Sequence, residues 1–149
     1  MLSRMPKTTL SQKISDSKRD DTWLLSRLNY LWDTYYSDVT QDNKVFINFG
    51  RFSRLRLGSI RLDRHTKHTY ITITGMFKNP KIPLEVVDHT IAHEMAHYTH
   101  GFSSPKPRLH KYPHHGGVVN RELKNRGMEY LIKAYSQWLK VYKVTLSER

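Results

Sequence analysis

Apolar residues recur at helical spacing near both ends of the chain and alternate with polar residues in between. Every third or fourth position is apolar over residues 22–37 and 117–142, which predicts an N-terminal helix capped by Asp21 or Thr22 and one long C-terminal helix. Alternating β-branched and aromatic residues predict strands at 45–49, 57–62 and 69–74. Residues 63–68 would form the hairpin turn between the last two strands.

A further helix is predicted between these strands and the C-terminal helix. Pro83 suits its first turn and Gly101 its C-terminal cap. One face would be buried, because apolar side chains repeat at helical steps at Leu84, Val87, Ile91, Met95 and Tyr98. The pattern predicts an α+β fold with a short three-stranded antiparallel or mixed sheet, in one domain over residues 21–149. Residues 1–20 lack apolar periodicity and are predicted to be a flexible basic tail.

The predicted middle helix contains His-Glu-Met-Ala-His at residues 93–97. Helical residues four apart lie on one face, so His93 and His97 could hold one Zn²⁺ between their imidazoles. Glu94 lies beside them and could take a proton from the attacking water as general base. This spacing is typical of zinc hydrolases.

A catalytic zinc site usually has a third protein ligand. His100 lies about 10 Å along the helix axis from His93, too far for both to bind one metal ion. His115 is the first candidate, because a proline-containing loop over 101–114 could bring it back to the metal. His114 and Glu122 remain the alternatives.

Four segments together resemble the SprT-like (Spartan-like) metallopeptidases, a family that includes a protease of DNA–protein crosslinks. They are the basic stretch 51–58, the strand 70–74, the segment 83–97 ending in the His-Glu-Met-Ala-His motif, and the pair His115-Gly116. The resemblance implies a small zincin-like protease core with zinc bound by His93, His97 and His115 and with Glu94 as general base. It also implies a zinc-dependent metalloendopeptidase that acts on protein or peptide substrates, including DNA-bound proteins. The family's usual aromatic residue after His-Gly is Val119 here.

The formal net charge of +12 favours a polyanionic partner, because cationic side chains release counterions from phosphates. We therefore expect non-specific binding of single- or double-stranded DNA. The expected contacts are basic residues of three segments, Arg51, Arg54, Arg56, Arg61, Arg64, Lys106 and Arg108. The sequence has no cysteine, no apolar run of membrane-spanning length and no secretory signal at its start. We expect an intracellular monomer, cytoplasmic or nucleoid-associated, that does not contact membranes.

In this interpretation the strand 69–74 would be an edge strand that pairs with an extended peptide substrate. A donor to the oxyanion is also expected, and the candidates are Tyr98, His100, His110 and Tyr112. Two other classes of protein fit the same motif. One is a non-catalytic zinc-containing nucleic-acid-binding module, and the other is a zinc hydrolase that does not cleave peptides.

Overall fold

The computed structural model describes residues 2–4 and 18–147, with residues 144–147 described by their backbone alone. The described residues form four α-helices and a three-stranded mixed sheet, so the predicted α+β class is confirmed. The elements are α1 (Asp21–Tyr35), β1 (Val45–Phe49), β2 (Gly58–Leu62), β3 (Thr69–Ile73), α2 (Leu84–Thr99), α3 (Val118–Asn125) and α4 (Glu129–Ser147). A short 3-10 turn, Gly75–Lys78, connects β3 towards α2.

The sheet has the strand order β1-β3-β2, with β1 parallel and β2 antiparallel to β3. Burial alternates along β1 and β3, so one face packs against α1 and α2 while the other is partly open. The three strands lie where the alternation predicted them, and the predicted turn joins β2 to β3. The expectation that residues 69–74 form an edge strand was wrong. β3 is central, and β2 is the edge next to α2.

The N-cap of α1 lies one residue before Asp21, the first of the two predicted capping residues. The carboxylate of Asp20 accepts the backbone N–H of Trp23 at 2.9 Å, which makes Asp20 the N-cap. Asp21 instead accepts the backbone N–H of Phe49 at 2.9 Å and so ties the start of α1 to the end of β1. The inner face of the helix buries Leu24, Leu28, Leu31 and the two tryptophans Trp23 and Trp32.

Helix α2 is the central helix of the domain. It packs against α1, α3, α4, β2 and β3, and most of its surface is therefore buried. Its polar residue Asp88 is 4% exposed and receives two hydrogen bonds, at 3.0 and 2.7 Å, from the guanidinium of Arg27 on α1. A buried carboxylate with a bidentate arginine partner fixes how α1 and α2 lie against each other.

The predicted single helix over residues 117–142 is two helices, and that prediction was wrong. Gly127 has φ +85°, a left-handed conformation that favours glycine, and it ends α3. The N–H groups of Met128 and Gly127 bond the carbonyls of Leu123 and Lys124 at 2.9 and 3.1 Å. This is a Schellman motif, and the side chains of Met128 and Leu123 are both fully buried in the core.

Part of the predicted flexible tail packs against the domain. Ser3 forms an antiparallel bridge with Phe46, and the N–H of Arg4 donates to the carbonyl of Val45 at 3.0 Å. The Arg4 guanidinium lies 4.5 Å from the ring centre of Trp32 and binds Asp33 at 2.9 Å. The rest of the predicted tail up to residue 17 lies outside the described residues. No helix in the described part of the chain is long and apolar enough to cross a membrane.

Candidate metal centre

His93 and His97 lie one turn apart on α2, on the face that approaches the loop following the helix. Their ring centres are 4.9 Å apart with the planes at 75°. Burial, together with repulsion by neighbouring histidines, lowers the pKa of His93 to about 4 and that of His97 to about 3. Both imidazoles are therefore neutral near pH 7, which is the form that binds a metal ion.

A second Schellman motif ends α2 and turns the chain back towards these histidines. Gly101 has φ +79°, and the N–H of Phe102 donates to the carbonyl of His97 at 2.9 Å. The Phe102 ring then packs edge-on against His97, with centres 5.3 Å apart. The returning loop places the His114 ring against both, at 4.6 Å from His97 and 5.2 Å from Phe102.

The three candidates for the third ligand have different positions. His114 contacts His97, whereas the ring of His115, the first candidate, stacks on Tyr112 with centres 5.6 Å apart. Glu122 is held by other residues, because its two carboxylate oxygens lie 2.7 Å from His100 Nε2 and 2.7 Å from Arg126 Nε. Of the three, His114 is the one that the loop brings to His97.

The donor groups can be compared with what a zinc ion requires. Nδ1 of His97 is buried without a hydrogen-bond partner, and His93 and His97 supply two neutral imidazoles at the spacing zinc needs. No three His, Asp or Glu side chains among the described residues are already arranged around a metal position. His114 is exposed, lies in a loop and has its ring centre 4.6 Å from that of His97, so it is the nearest candidate for a third imidazole. The types of side chain present fit a zinc ion.

Glu94 lies under the edge strand of the sheet. It is 6% exposed, and burial raises the pKa of its carboxyl to about 7, while the positive charge of Arg56 opposes the shift. A pKa near neutrality suits a group that accepts and returns a proton. A Cβ at Gly58 on β2 would lie 3.1 Å from Glu94 Oε2 and 2.7 Å from Thr90 Cγ2, so only glycine lets β2 pass this close to the carboxylate.

A cavity of about 510 Å³ opens beside His93 and Glu94. Its walls come from the segment before β2 and from α2, α3 and α4, and they are mixed: Leu55, Leu57, Ile132 and Leu139 are apolar, whereas Thr90, Asn120 and Ser136 are polar. The sequence analysis missed two of its polar groups, His89 and Tyr135. Their rings stack with centres 4.3 Å apart and planes at 7°. His89 lies four residues before His93, so the helical spacing that indicated His93 and His97 also indicates His89.

None of the four predicted oxyanion donors lines this cavity. The hydroxyl of Tyr98 donates to Asn43 Oδ1 at 2.7 Å, next to the start of β1. His100 is bound to Glu122, and the ring of His110 packs on His100 with centres 4.6 Å apart. Tyr112 stacks on His115. Within the described residues, His89 and Tyr135 are the polar rings that line the cavity with His93.

The structure separates the predicted DNA-binding residues into different surroundings. Arg51, Arg56 and Arg61 line one cavity on the outer face of the sheet. Arg54 and Arg64 are exposed, one in the loop before β2 and one in the hairpin turn after it. Lys106 binds Asp42 at 2.8 Å, and Arg108 donates to the backbone carbonyls of His110 and Lys111. These last two side chains are therefore engaged within the protein.

Comparisons of the chain with protein-family models, with curated protein sequences and with solved structures give no significant match.

Proposed function

We propose that the chain is a zinc-dependent metalloendopeptidase with a zincin-like, SprT-like core. The observation that carries the proposal is the position of Glu94. Its carboxyl group lies one residue after one neutral imidazole, a turn before the second, and directly against Gly58 of the edge strand β2. A site that only held a metal for stability would not need such a proton acceptor at the wall of a cavity.

The side chains divide the chemistry among them. His93, His97 and His114 hold the ion, and zinc when bound supplies Lewis acidity that acidifies water and polarises a carbonyl group. Glu94 accepts the proton of the attacking water and passes it to the leaving amine nitrogen. His89 and Tyr135 line the same cavity as His93, so they replace the four expected donors as candidates to stabilise the developing oxyanion.

An extended substrate would lie along β2, the edge strand next to Glu94. Two hydrogen bonds fix which backbone groups of β2 point towards β3. The N–H of Thr74 donates to the carbonyl of Leu57, and the N–H of Asp63 donates to the carbonyl of His68. Bonded and non-bonded pairs alternate in an antiparallel ladder, so Gly58 directs its N–H and C=O away from β3. Backbone pairing there brings a peptide bond next to Glu94 without requiring a particular side-chain sequence.

The proposal is tested with Glu94→Gln, which keeps the size of the side chain but cannot accept a proton. The zinc-loaded variant should retain its fold and zinc while cleavage of a disordered protein falls by about 10²–10⁴-fold. Chelation should abolish the native activity, and added zinc should restore it. Equal cleavage by native protein and variant would remove Glu94 from the mechanism. If the zinc-loaded native chain cleaves nothing, the remaining interpretations are a non-catalytic zinc-containing nucleic-acid-binding module and a zinc hydrolase that does not cleave peptides.

The third ligand is tested separately by zinc affinity. His114→Ala should weaken zinc binding at least tenfold, whereas His115→Ala, its sequence neighbour and matched control, should leave it near the native value. The reverse result would restore His115 as the ligand and would mean that the loop turns over when zinc binds.

DNA-bound proteins are part of the proposed substrate class because of the charge of the chain. The net charge is +12, and exposed arginines such as Arg54 and Arg64 border the substrate strand. Contacts of this kind bind phosphates without reading bases, so we propose weak, sequence-independent DNA binding that raises the local concentration of substrate.

A further inference from the structure

The outer face of the sheet carries a second cavity, of about 590 Å³, which is separate from the cavity beside His93. Ser59 on β2 and Thr72 on β3 are among the polar side chains that line it, beside the apolar Phe52 and Ile60. Three arginines surround it, Arg51 and Arg56 from the segment before β2 and Arg61 from β2 itself. Gly58 lines both cavities, so the two lie on either side of the same point of the edge strand.

The positive charge of this arginine cavity is poorly compensated by the protein. No acidic side chain is among its lining residues. Arg61 rests over the ring of Tyr70 at 4.5 Å and contacts Asp63 at 3.6 Å, with its side chain 65% exposed. An exposed ion pair of this length contributes little, so Arg61 remains available to another anion.

The geometry of a strand bound to β2 connects the two cavities. The N–H and C=O groups of Gly58 point away from β3, in the plane of the sheet, where a further strand can pair with them. The carbonyl of Ile60 points the same way but already accepts the hydroxyl of Ser103 at 3.2 Å. A bound strand would therefore pair around Gly58. Successive side chains of a strand point to opposite faces of a sheet. When one side chain enters the cavity beside His93, where Leu55, Leu57, Ile132 and Leu139 offer apolar contacts, each of its neighbours is directed towards the outer face and the arginines.

We propose that the arginine cavity is a subsite for an acidic residue of the peptide substrate, adjacent to an apolar residue held in the cavity beside His93. The preferred substrate is thus an extended segment in which an apolar residue has acidic neighbours. This inference rests on the proposed peptide-binding function of the site. It adds charge selectivity to binding that would otherwise depend on the backbone alone.

A nucleic-acid phosphate has the same charge but fits the observations less well. The arginines lie around a concave cavity beside the edge strand β2. Gly58 lines this cavity and also lies against the carboxylate of Glu94. Phosphate contacts that only position a nucleic acid need exposed basic groups and no such link to the catalytic side of the strand.

The test uses two labelled peptides that differ only in charge, with Ala-Glu-Leu-Glu-Ala or Ala-Gln-Leu-Gln-Ala at their centre. Binding is measured by fluorescence anisotropy with the zinc-loaded full chain carrying Glu94→Gln, and cleavage with the zinc-loaded native chain. The probing variant is Arg61→Gln, because Arg56 lies close enough to affect Glu94 directly. Arg121→Gln is the charge-matched control, since Arg121 is exposed on α3 and lines neither cavity.

We expect the acidic peptide to bind about five- to tenfold more tightly, with the preference retained in Arg121→Gln and lost in Arg61→Gln. A preference in binding without any cleavage would support the subsite and contradict the protease. Cleavage of both peptides without a preference in binding would support the protease and contradict the subsite. Equal affinities, no binding of either peptide, or a preference that persists in Arg61→Gln would overturn the proposal. If Arg61→Gln weakens binding of an oligonucleotide but not of the acidic peptide, the cavity belongs to nucleic acid and the proposal fails.

Discussion

Glu122 should stabilise the fold without holding the metal ion, and replacing it with alanine separates the two roles. The side chain joins two residues at the ends of α2 and α3. Its oxygens lie 2.7 Å from Nε2 of His100 and 2.7 Å from Nε of Arg126. His100 is 2% exposed and its Nδ1 has no partner, so we place the ring proton on Nε2, where it donates to Glu122.

The size of the effect follows from what each partner retains. Arg126 keeps Asp38 at 2.6 Å and the carbonyl of Tyr35 at 2.9 Å, so it is not left without acceptors. His100 loses the acceptor of a buried N–H group. Hydrogen bonds to charged groups contribute about 1.5–3 kcal/mol, so we expect Glu122→Ala to cost about 2 kcal/mol. For a domain of this size that corresponds to a fall in Tm of about 6 °C.

The effect should depend on pH in one direction. The hydrogen bond from His100 lowers the pKa of Glu122 below its usual value, with Arg126 acting in the same direction and burial against it. A carboxyl group whose pKa is lower in the folded state contributes its full stability above its unfolded pKa. That contribution is lost as the pH falls through the folded pKa. The difference in stability between native protein and Glu122→Ala should therefore shrink in acid.

The assay is thermal unfolding at several pH values, together with zinc affinity. Glu122→Gln should recover part of the loss, because an amide can still accept from one partner. Lys124→Ala, an exposed change on the same helix, is the control and should leave Tm almost unchanged. Zinc affinity within about twofold of native in Glu122→Ala fits the account. Loss of zinc with little loss of stability would refute it and make Glu122 the third ligand.

Three further results are expected. Gly58→Ala should lower cleavage, because the new Cβ would meet the Thr90 methyl at 2.7 Å and the Glu94 carboxylate. Adding Thr90→Ser removes that methyl and should restore part of the rate. Full activity of Gly58→Ala would show that β2 does not constrain the position of Glu94. Gly127→Ala should destabilise the domain by about 1 kcal/mol in denaturant unfolding, because its φ of +85° is strained for alanine, and an unchanged midpoint would contradict the helix break. DNA affinity should fall steeply between about 50 and 200 mM salt. Arg54→Glu should weaken binding equally for all DNA sequences. An affinity that does not change with salt would contradict the proposal that the substrates are DNA-bound proteins.

The regular elements were predictable where local pattern and tertiary packing agree. The alternation in 45–49 and 69–74 is the alternation of burial in β1 and β3. The helix bearing His93 and Glu94 was predictable because its apolar spacing and its terminal Gly101 agree. The order of the strands was not predictable, because β1 pairs in parallel with β3 although β2 lies between them in the sequence. Nothing local distinguishes a central strand from an edge strand.

The remaining differences come from single residues whose effect depends on conformation. Gly127 interrupts an apolar pattern that continues in helical register, so the periodicity alone does not show the break. Which of His114 and His115 faces His97 depends on the path of the loop, and adjacent residues in a loop point in different directions. Arg4 packs on Trp32 although its segment has no apolar pattern, because its contacts are ionic and aromatic.

The most direct test of the account is a zinc titration of proteolysis in metal-free protein. Cleavage of a disordered protein should rise with added zinc and saturate at one ion per chain. His97→Ala should bind zinc weakly and stay inactive, and Glu94→Gln should bind one zinc ion and stay inactive. Activity that does not depend on zinc, or a Glu94→Gln variant that cleaves as fast as the native chain, would contradict the account.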